Sequence, residues 1–423
     1  MQDGGRISAA IEVLADIQAR HRPAHLALKA WGDGARYAGA RDRAFVAGLV
    51  LDVLRRRRSL AWAMGEETER ARTLAALRFV WGWTIERLAA AAQAPHGPGA
   101  LSEGELARLA APMPVEGAPA AVRGDYPDWL DGALARVFGE ARAAEGAALA
   151  ARAPVDVRVN TLRSDAAHVL KALAPFHAVA LEFPPDAVRI PAPAAAERAA
   201  PVEAAPAFER GWFEVQDAGS QIAALAAGDI AHRQVLDFCA GGGGKTLALA
   251  AAMKNSGQLY AYDADARRLA ETVKRSQRAG VRNLQVRSPI DPRALDGLEG
   301  RMDLVFVDSP CTGVGTWRRH PDAKWRLTPQ QLHRRTAEQD AVLAAAAAFV
   351  RPGGRLVYVT CSLLAEENED RVAAFLAAYP GFSAVAAALA GAERWLTPDG
   401  FVRLTPRSAA TDGFFVATMT RIG

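Results

Sequence analysis

Val235-Leu236-Asp237-Phe238-Cys239-Ala240-Gly241-Gly242-Gly243-Gly244-Lys245-Thr246 passes from apolar residues into a run of glycines and then into Leu247-Ala248-Leu249. That order reads as a strand, a tight turn and the start of a helix. Glycines let backbone come close to a ligand with no Cβ in the way, and the first N–H groups of a helix have no partners within it. The turn therefore reads as a loop for a nucleotide-like cofactor, with Cys239, Ala240, Gly241, Gly242, Gly243, Gly244 and Lys245 as candidate contacts. Gly244-Lys245-Thr246 also invites a phosphate-loop reading, but that loop needs glycine where Cys239 stands. A turn that only packs a helix against a sheet is the remaining reading.

Downstream, apolar runs at Leu259 to Tyr262, Leu304 to Val307 and Leu356 to Val359 are separated by helical sequence. This alternation predicts a mostly parallel, doubly wound sheet of the Rossmann-like kind. Asp263 ends the first of these strands, where a carboxylate accepts hydrogen bonds from ribose hydroxyls. Phe414 to Met419 is expected as a further strand, antiparallel to Val402 to Leu404.

Upstream of the loop, Ile7 to about Ala92 reads as successive amphipathic helices. Val46, Val50 and Leu54 repeat at helical spacing beside Phe45, Leu49 and Val53. Arg55, Arg56, Arg57 and Arg58 are either a solvated helix end or a phosphate contact. Pro95 to Gly124 is rich in Gly, Pro and Ala and reads as a linker with a short helix around Glu103 to Ala110. A second unit is expected from Tyr126-Pro127-Asp128-Trp129-Leu130, through helical sequence, to a strand in which Arg158 and Asn160 share a face.

The chain has 423 residues, enough for more than one core, and a net charge of only +4, which decides little about partners. No apolar run reaches the roughly eighteen residues of a membrane span, and no secretory signal is read near the N-terminus, so a cytoplasmic location is expected. The three cysteines, Cys239, Cys311 and Cys361, lack the paired spacing of a zinc site. No metal is expected, and the oligomeric state is left open.

Asp308-Ser309-Pro310-Cys311 and Thr360-Cys361-Ser362 each follow a strand of the expected parallel sheet. Open α/β sheets bind ligands at the carboxyl ends of their strands, where the glycine loop also lies. Any one cysteine is ordinarily a small buried hydrophobe. Two of them beside one cofactor loop point to thiol chemistry, with Cys239 set apart because it sits inside the loop itself. Trp317-Arg318-Arg319-His320-Pro321-Asp322 and Lys324-Trp325-Arg326 interleave bases and aromatics, as a nucleic-acid contact does and as a structured loop with exposed arginines also does.

With Arg158-Val159-Asn160, Gln216-Asp217, Asp263 with Arg268-Leu269, Asp308 to Gly315, Thr360-Cys361-Ser362 and Asp412-Gly413-Phe414-Phe415 in place, the chain resembles the Nop/Sun family of RNA cytosine-C5 methyltransferases, in particular its small-subunit (16S) ribosomal RNA branch. The resemblance implies an all-α NusB-like N-terminal domain (1–120), a small α/β, RRM-like or N1-type subdomain (121–217) and a Rossmann-like methyltransferase domain (218–423). It implies S-adenosylmethionine as cofactor and 16S ribosomal RNA as partner. It further implies Cys361 as nucleophile, Cys311 as release cysteine, Asp308 as base-recognising acid, Lys245 in the active-site loop, Asp263 on the ribose, and Arg268 and Asp308 beside the cofactor. Asp291 is the candidate for the adenine-contacting acid. Where the family has Ala-Pro in the loop, this chain has Gly241-Gly242. Cytosine C5 is too weak a nucleophile to take a methyl group unaided, so a thiolate must first add at C6, and this accounts for the cysteine. A tRNA substrate, or a non-catalytic RNA-binding assembly factor, are the rival readings.

Overall fold

The structure, a computed structural model, describes residues 1–113, 117–387, 389 and 391–422. By packing they fall into two compact units. One comprises Met1–Ala153, Ala192–Ala199 and Trp317–Leu327, and the other Pro154–Pro191, Ala200–Thr316 and Thr328–Gly423. This partition follows compactness, whereas the three domains expected above follow fold modules.

The first unit is helical. The apolar stripe of Ala40–Arg55 buries Phe45, Leu49, Val50 and Val53 against Ile7, Leu14 and Leu74, so the helical periodicity of the sequence is the periodicity of the core. The expected linker is part of this packing. Glu103–Ala110 forms a helix closed by a capping box between Ser102 and Glu105, and Leu109, Ala121 and Val122 are buried. Glycine and proline broke the periodic pattern without removing the apolar side chains that pack. Residues 114–116 of that stretch lie outside the described residues.

Two further expectations are corrected here. The arginines after Ala40–Arg55 do not form a free cationic row. Arg55 is buried, pairs with Asp52 at 3.0 Å and donates to the Arg318 carbonyl, while Arg58 pairs with Asp128 at 2.7 Å. The Trp317-to-Arg326 stretch is not an open stacking surface. Trp317, Arg318 and Lys324 are buried. Lys324 Nζ donates to the Arg55 carbonyl at 2.7 Å and Trp325 Nε1 to the Leu54 carbonyl at 2.6 Å, so a cation and an indole N–H satisfy the carbonyls that end the Ala40–Arg55 helix. Burial pushes the Lys324 amine down to about 7.

The second unit holds two sheets. Strands β1 (Val155–Val159), β2 (Val179–Ala180), β3 (Ala187–Ile190) and β4 (Phe213–Val215) form an antiparallel sheet in the order β2-β3-β1-β4. Strands β5 (Gln234–Asp237), β6 (Gln258–Tyr262), β7 (Leu284–Arg287), β8 (Met302–Asp308), β9 (Val350–Thr360), β10 (Phe382–Val385), β11 (Val402–Leu404) and β12 (Phe414–Arg421) form the larger one. Its order is β10-β12-β9-β8-β5-β6-β7, with β11 also on β12. Strands β5 to β9 are mutually parallel, and β12 runs antiparallel to β9, β10 and β11. Leu304, Phe306, Val357 and Val359 pack into one face of the sheet and Val305, Val307, Leu356 and Tyr358 into the other, the alternation of strands covered on both sides.

Chain direction switches at β5, whose partners are β6 on one side and β8 on the other. A crevice at such a switch point receives the ligand in open α/β sheets. The short edge strands β7 and β10 were not foreseen.

Arg158 and Asn160 are both buried, as their shared face requires. Asn160 Nδ2 donates to the carbonyls of Gly211 at 2.7 Å and Ala279 at 2.8 Å, and so fixes the end of helix Ala266–Ala279. Asn160→Ala leaves two buried carbonyls without donors and is expected to cost about 2 kcal/mol, read as a lower midpoint in chemical denaturation.

Candidate active site

The glycine loop is built as the sequence reads. Gly241 (φ +54°) and Gly243 (φ +85°) occupy the left-handed region, which L side chains avoid. A Cβ on Gly243 would lie 2.9 Å from Thr272 Oγ1, and one on Gly241 2.5 Å from the Arg268 guanidinium. A Cβ on Gly244 would meet nothing within 4 Å, so there is open space beside the first residue of helix Gly244–Ala252.

Asp263, just past β6, is fixed to this loop. Its Oδ2 accepts the Gly241 N–H at 2.8 Å and its Oδ1 the Asp265 N–H at 2.8 Å, with Arg268 3.6 Å from Oδ2. Backbone left bare by glycines, an open helix N-terminus and a carboxylate at the neighbouring strand end fit an adenosyl cofactor. Asp291 lies apart from this cluster, exposed in a turn after β7, where it accepts the Arg293 N–H at 2.9 Å.

Beneath the loop Asp237 is fully buried. Thr246 Oγ1 donates to one of its oxygens at 2.6 Å and the other has no partner. Burial pushes this carboxyl up to about 7, against the Thr246 hydrogen bond that lowers it. Burial does the same to the Cys239 thiol, which is held well above the ordinary range. Cys239 therefore packs as a neutral thiol.

On the other side of β5 the two remaining cysteines meet. Strands β8 and β9 pair with Asp308 opposite Val359, and the Ser309 N–H continues the ladder to the Val359 carbonyl at 2.9 Å. Cys311 and Cys361 therefore leave adjacent strand ends together, with their Sγ atoms 3.3 Å apart. The hydrogen bond with Cys361, burial and nearby negative charge raise the Cys311 thiol well above its ordinary value. Lys245 Nζ, buried, lies 2.8 Å from Asp308 Oδ2 and 5.2 Å from the centre of the Phe414 ring.

Gly315 and Gly413, present in the motifs above without a role, and Glu367, Gln339 and Asn368, which the sequence reading passed over, hold these loops. The Gly315 N–H donates to the Cys361 carbonyl at 2.9 Å, and the Gly413 N–H to the Gly315 carbonyl at 2.8 Å. A Cβ on Gly315 would fall 2.1 Å from the Gly413 carbonyl oxygen, so only glycine allows the contact. Glu367 accepts from Thr312 and Gln339, and Thr360 Oγ1 bonds Asn368 Oδ1 at 2.5 Å. The available signal was the acidic run Glu366-Glu367-Asn368-Glu369 soon after Cys361.

Residues 224–420 match the family model of the 16S rRNA methyltransferase RsmB/F. Those residues belong to that family. The chain is 29% identical to a probable ribosomal RNA small subunit methyltransferase B of Synechocystis over 70% of its length and 67% of the relative's. It is 34% identical to the ribosomal RNA small subunit methyltransferase B of Cronobacter sakazakii over 56% of its length and 52% of the relative's. The aligned stretches thus span from about half to two thirds of these relatives. The solved structure of PH0851 shares the fold across 99% of both chains, with a TM-score of 0.73 at 24% identity. The family model and both relatives are thus described as ribosomal RNA methyltransferases. Among the described residues no helix is long and apolar enough to cross a membrane, and no group of His, Cys, Asp and Glu is placed to hold a metal.

Asp237 carries a stability prediction. A carboxyl raised by burial favours the folded state in its protonated form, so its penalty is absent below the ordinary carboxyl pKa and grows as pH rises through about 7. Asp237→Asn, which keeps an acceptor for Thr246, is expected to raise the melting midpoint by ~4 °C or more at neutral and higher pH. Differential scanning calorimetry should show the gap closing as pH is lowered towards 4.

Proposed function

We propose that this chain transfers a methyl group from S-adenosylmethionine to C5 of a cytosine in small-subunit (16S) ribosomal RNA, through a covalent adduct at Cys361. The observation that carries the reading is the 3.3 Å approach of the Cys311 and Cys361 sulfurs from adjacent strand ends, one of which carries Asp308, paired with Lys245 of the glycine-loop helix. The names of the relatives supply the ribosomal RNA substrate. The rival tRNA reading has no such support, and a non-catalytic assembly factor would not need the paired thiols. The helical unit is read as NusB-like and the four-stranded sheet with its helix as RRM-like, both serving RNA affinity. A cytoplasmic location goes with the substrate.

In this reading residues 239–245, Asp263 and Arg268 hold the cofactor, which supplies an electrophilic methyl group when bound, and Asp291 is the candidate for its adenine. The Cys361 thiolate adds to C6 of the base. Asp308, paired with Lys245, accepts from the exocyclic amine, and Lys245 offsets charge that develops towards N3. The addition moves the C5=C6 pair onto C5, conjugated through C4 to N3, and so makes C5 the nucleophilic carbon that would take the methyl group the bound cofactor supplies. For release, the Cys311 thiolate takes the proton from C5, the C5=C6 bond re-forms, and the C6–S electron pair returns to Cys361.

Two measurements test this. With labelled S-adenosylmethionine and unmodified small-subunit RNA, Cys311→Ala is expected to accumulate a covalent protein–RNA complex on denaturing gels, whereas Cys361→Ala forms none. Equal behaviour of the two variants refutes the division of roles, and label in tRNA alone refutes the substrate. Because Cys311 is held as a thiol, adduct decay in single turnovers is expected to accelerate as pH rises and to be still accelerating past about pH 8.5, the ordinary thiol value.

A further inference from the structure

Glu367 is completely buried, as is Gln339. Glu367 Oε1 accepts the Thr312 N–H at 2.8 Å and Gln339 Nε2 at 3.0 Å, and Oε2 bonds the Thr312 hydroxyl. Two N–H donors fix Oε1 as an acceptor. Gln339 Nε2 also donates to the Pro310 carbonyl at 2.9 Å. The residues on both sides of Cys311 are thereby tied to two buried side chains that are bonded to each other, Pro310 to Gln339 and Thr312 to Glu367. The backbone of Glu367 is itself fixed, since its carbonyl accepts the Tyr358 hydroxyl at 2.7 Å.

A carboxylate taken out of water among neutral donors is expensive, and an apolar residue of like volume would ordinarily be the more stable choice. What the side chain provides here is directional hydrogen bonds to a loop that has no other buried side-chain anchor of this kind among the described residues. Cys361 needs no such brace, because its carbonyl already joins the backbone ladder through Gly315.

We infer that Glu367, acting through Thr312 and Gln339, is a positioning residue that holds the Cys311 loop for product release. The inference rests on the assignment of Cys311 to release given above. Its consequence is a selective defect: the Cys361 adduct forms at the normal rate and resolves slowly.

The experiment uses the full chain, labelled S-adenosylmethionine and unmodified small-subunit RNA, and follows formation and decay of the covalent complex in single turnovers. Thr312→Val, which removes a hydroxyl at nearly constant volume, and Glu367→Ala are expected to slow decay about tenfold or more while leaving formation unchanged. Glu367→Gln retains an acceptor for the Thr312 N–H and is expected to recover much of the loss. Cys311→Ala serves as the reference. Normal decay in Thr312→Val and Glu367→Ala, beside a Cys311→Ala that accumulates adduct, overturns the inference alone. So does a parallel fall in formation and decay together with a lowered melting midpoint, which is the signature of a merely structural role. Failure of Cys311→Ala to accumulate adduct overturns the assignment on which the inference stands. Thr312→Val keeps the test decisive if Glu367→Ala does not fold.

Discussion

The parallel pairing of β8 with β9 is the constraint on which the site depends. With Asp308 opposite Val359, the two strands end level, and the residues that follow them emerge side by side. A shift of one residue would reverse the faces of every side chain on one strand and separate the two sulfurs. Burial enforces the register, because Leu304 and Phe306 lie with Val357 and Val359 in one core, and Val305 and Val307 with Leu356 and Tyr358 in the other. The cores on the two faces thus set the positions of the two thiols, and Cys361 itself packs against the first of them.

Around this frame the polar groups fall into two kinds. Lys245 and Asp308 form an ion pair at the open edge, where Asp308 keeps part of its surface. Asp237 and Glu367 are wholly buried without a cationic partner in any salt bridge among the described residues, and each depends on hydroxyl or amide donors. Such groups contribute little to stability. Their value lies in specifying where the adjacent backbone runs: the glycine loop above Asp237 and the Cys311 loop above Glu367.

The sequence disclosed what short-range pattern can disclose. The glycine loop, the four central strands, the antiparallel Phe414 strand and the helix at Glu103 each carry a local signature of composition or periodicity, and the two cysteines were legible because each follows a strand. Strands β7 and β10, only four residues long, offer too little pattern to register. The stretch from Trp317 to Arg326 carries a composition that suits RNA and solvent equally, and its partners, the carbonyls of Leu54 and Arg55, are remote in the chain. Glu367 was missed for a similar reason. In sequence it is one acid in an acidic run, and only folding shows that it is the one turned inward.

The backbone link from Cys361 through Gly315 to Gly413 runs between segments far apart in the chain. It is also the entry to β12, which lies between β9 and β10 in the sheet although it follows both in sequence. During synthesis the two cysteines are therefore made well before the backbone that braces the second of them. A nascent chain that has not yet released Gly413 and β12 from the ribosomal tunnel holds both thiols and the β8–β9 pair that brings them together, but not the Gly413 contact that braces the loop between them, so that brace is added only after both cysteines are made.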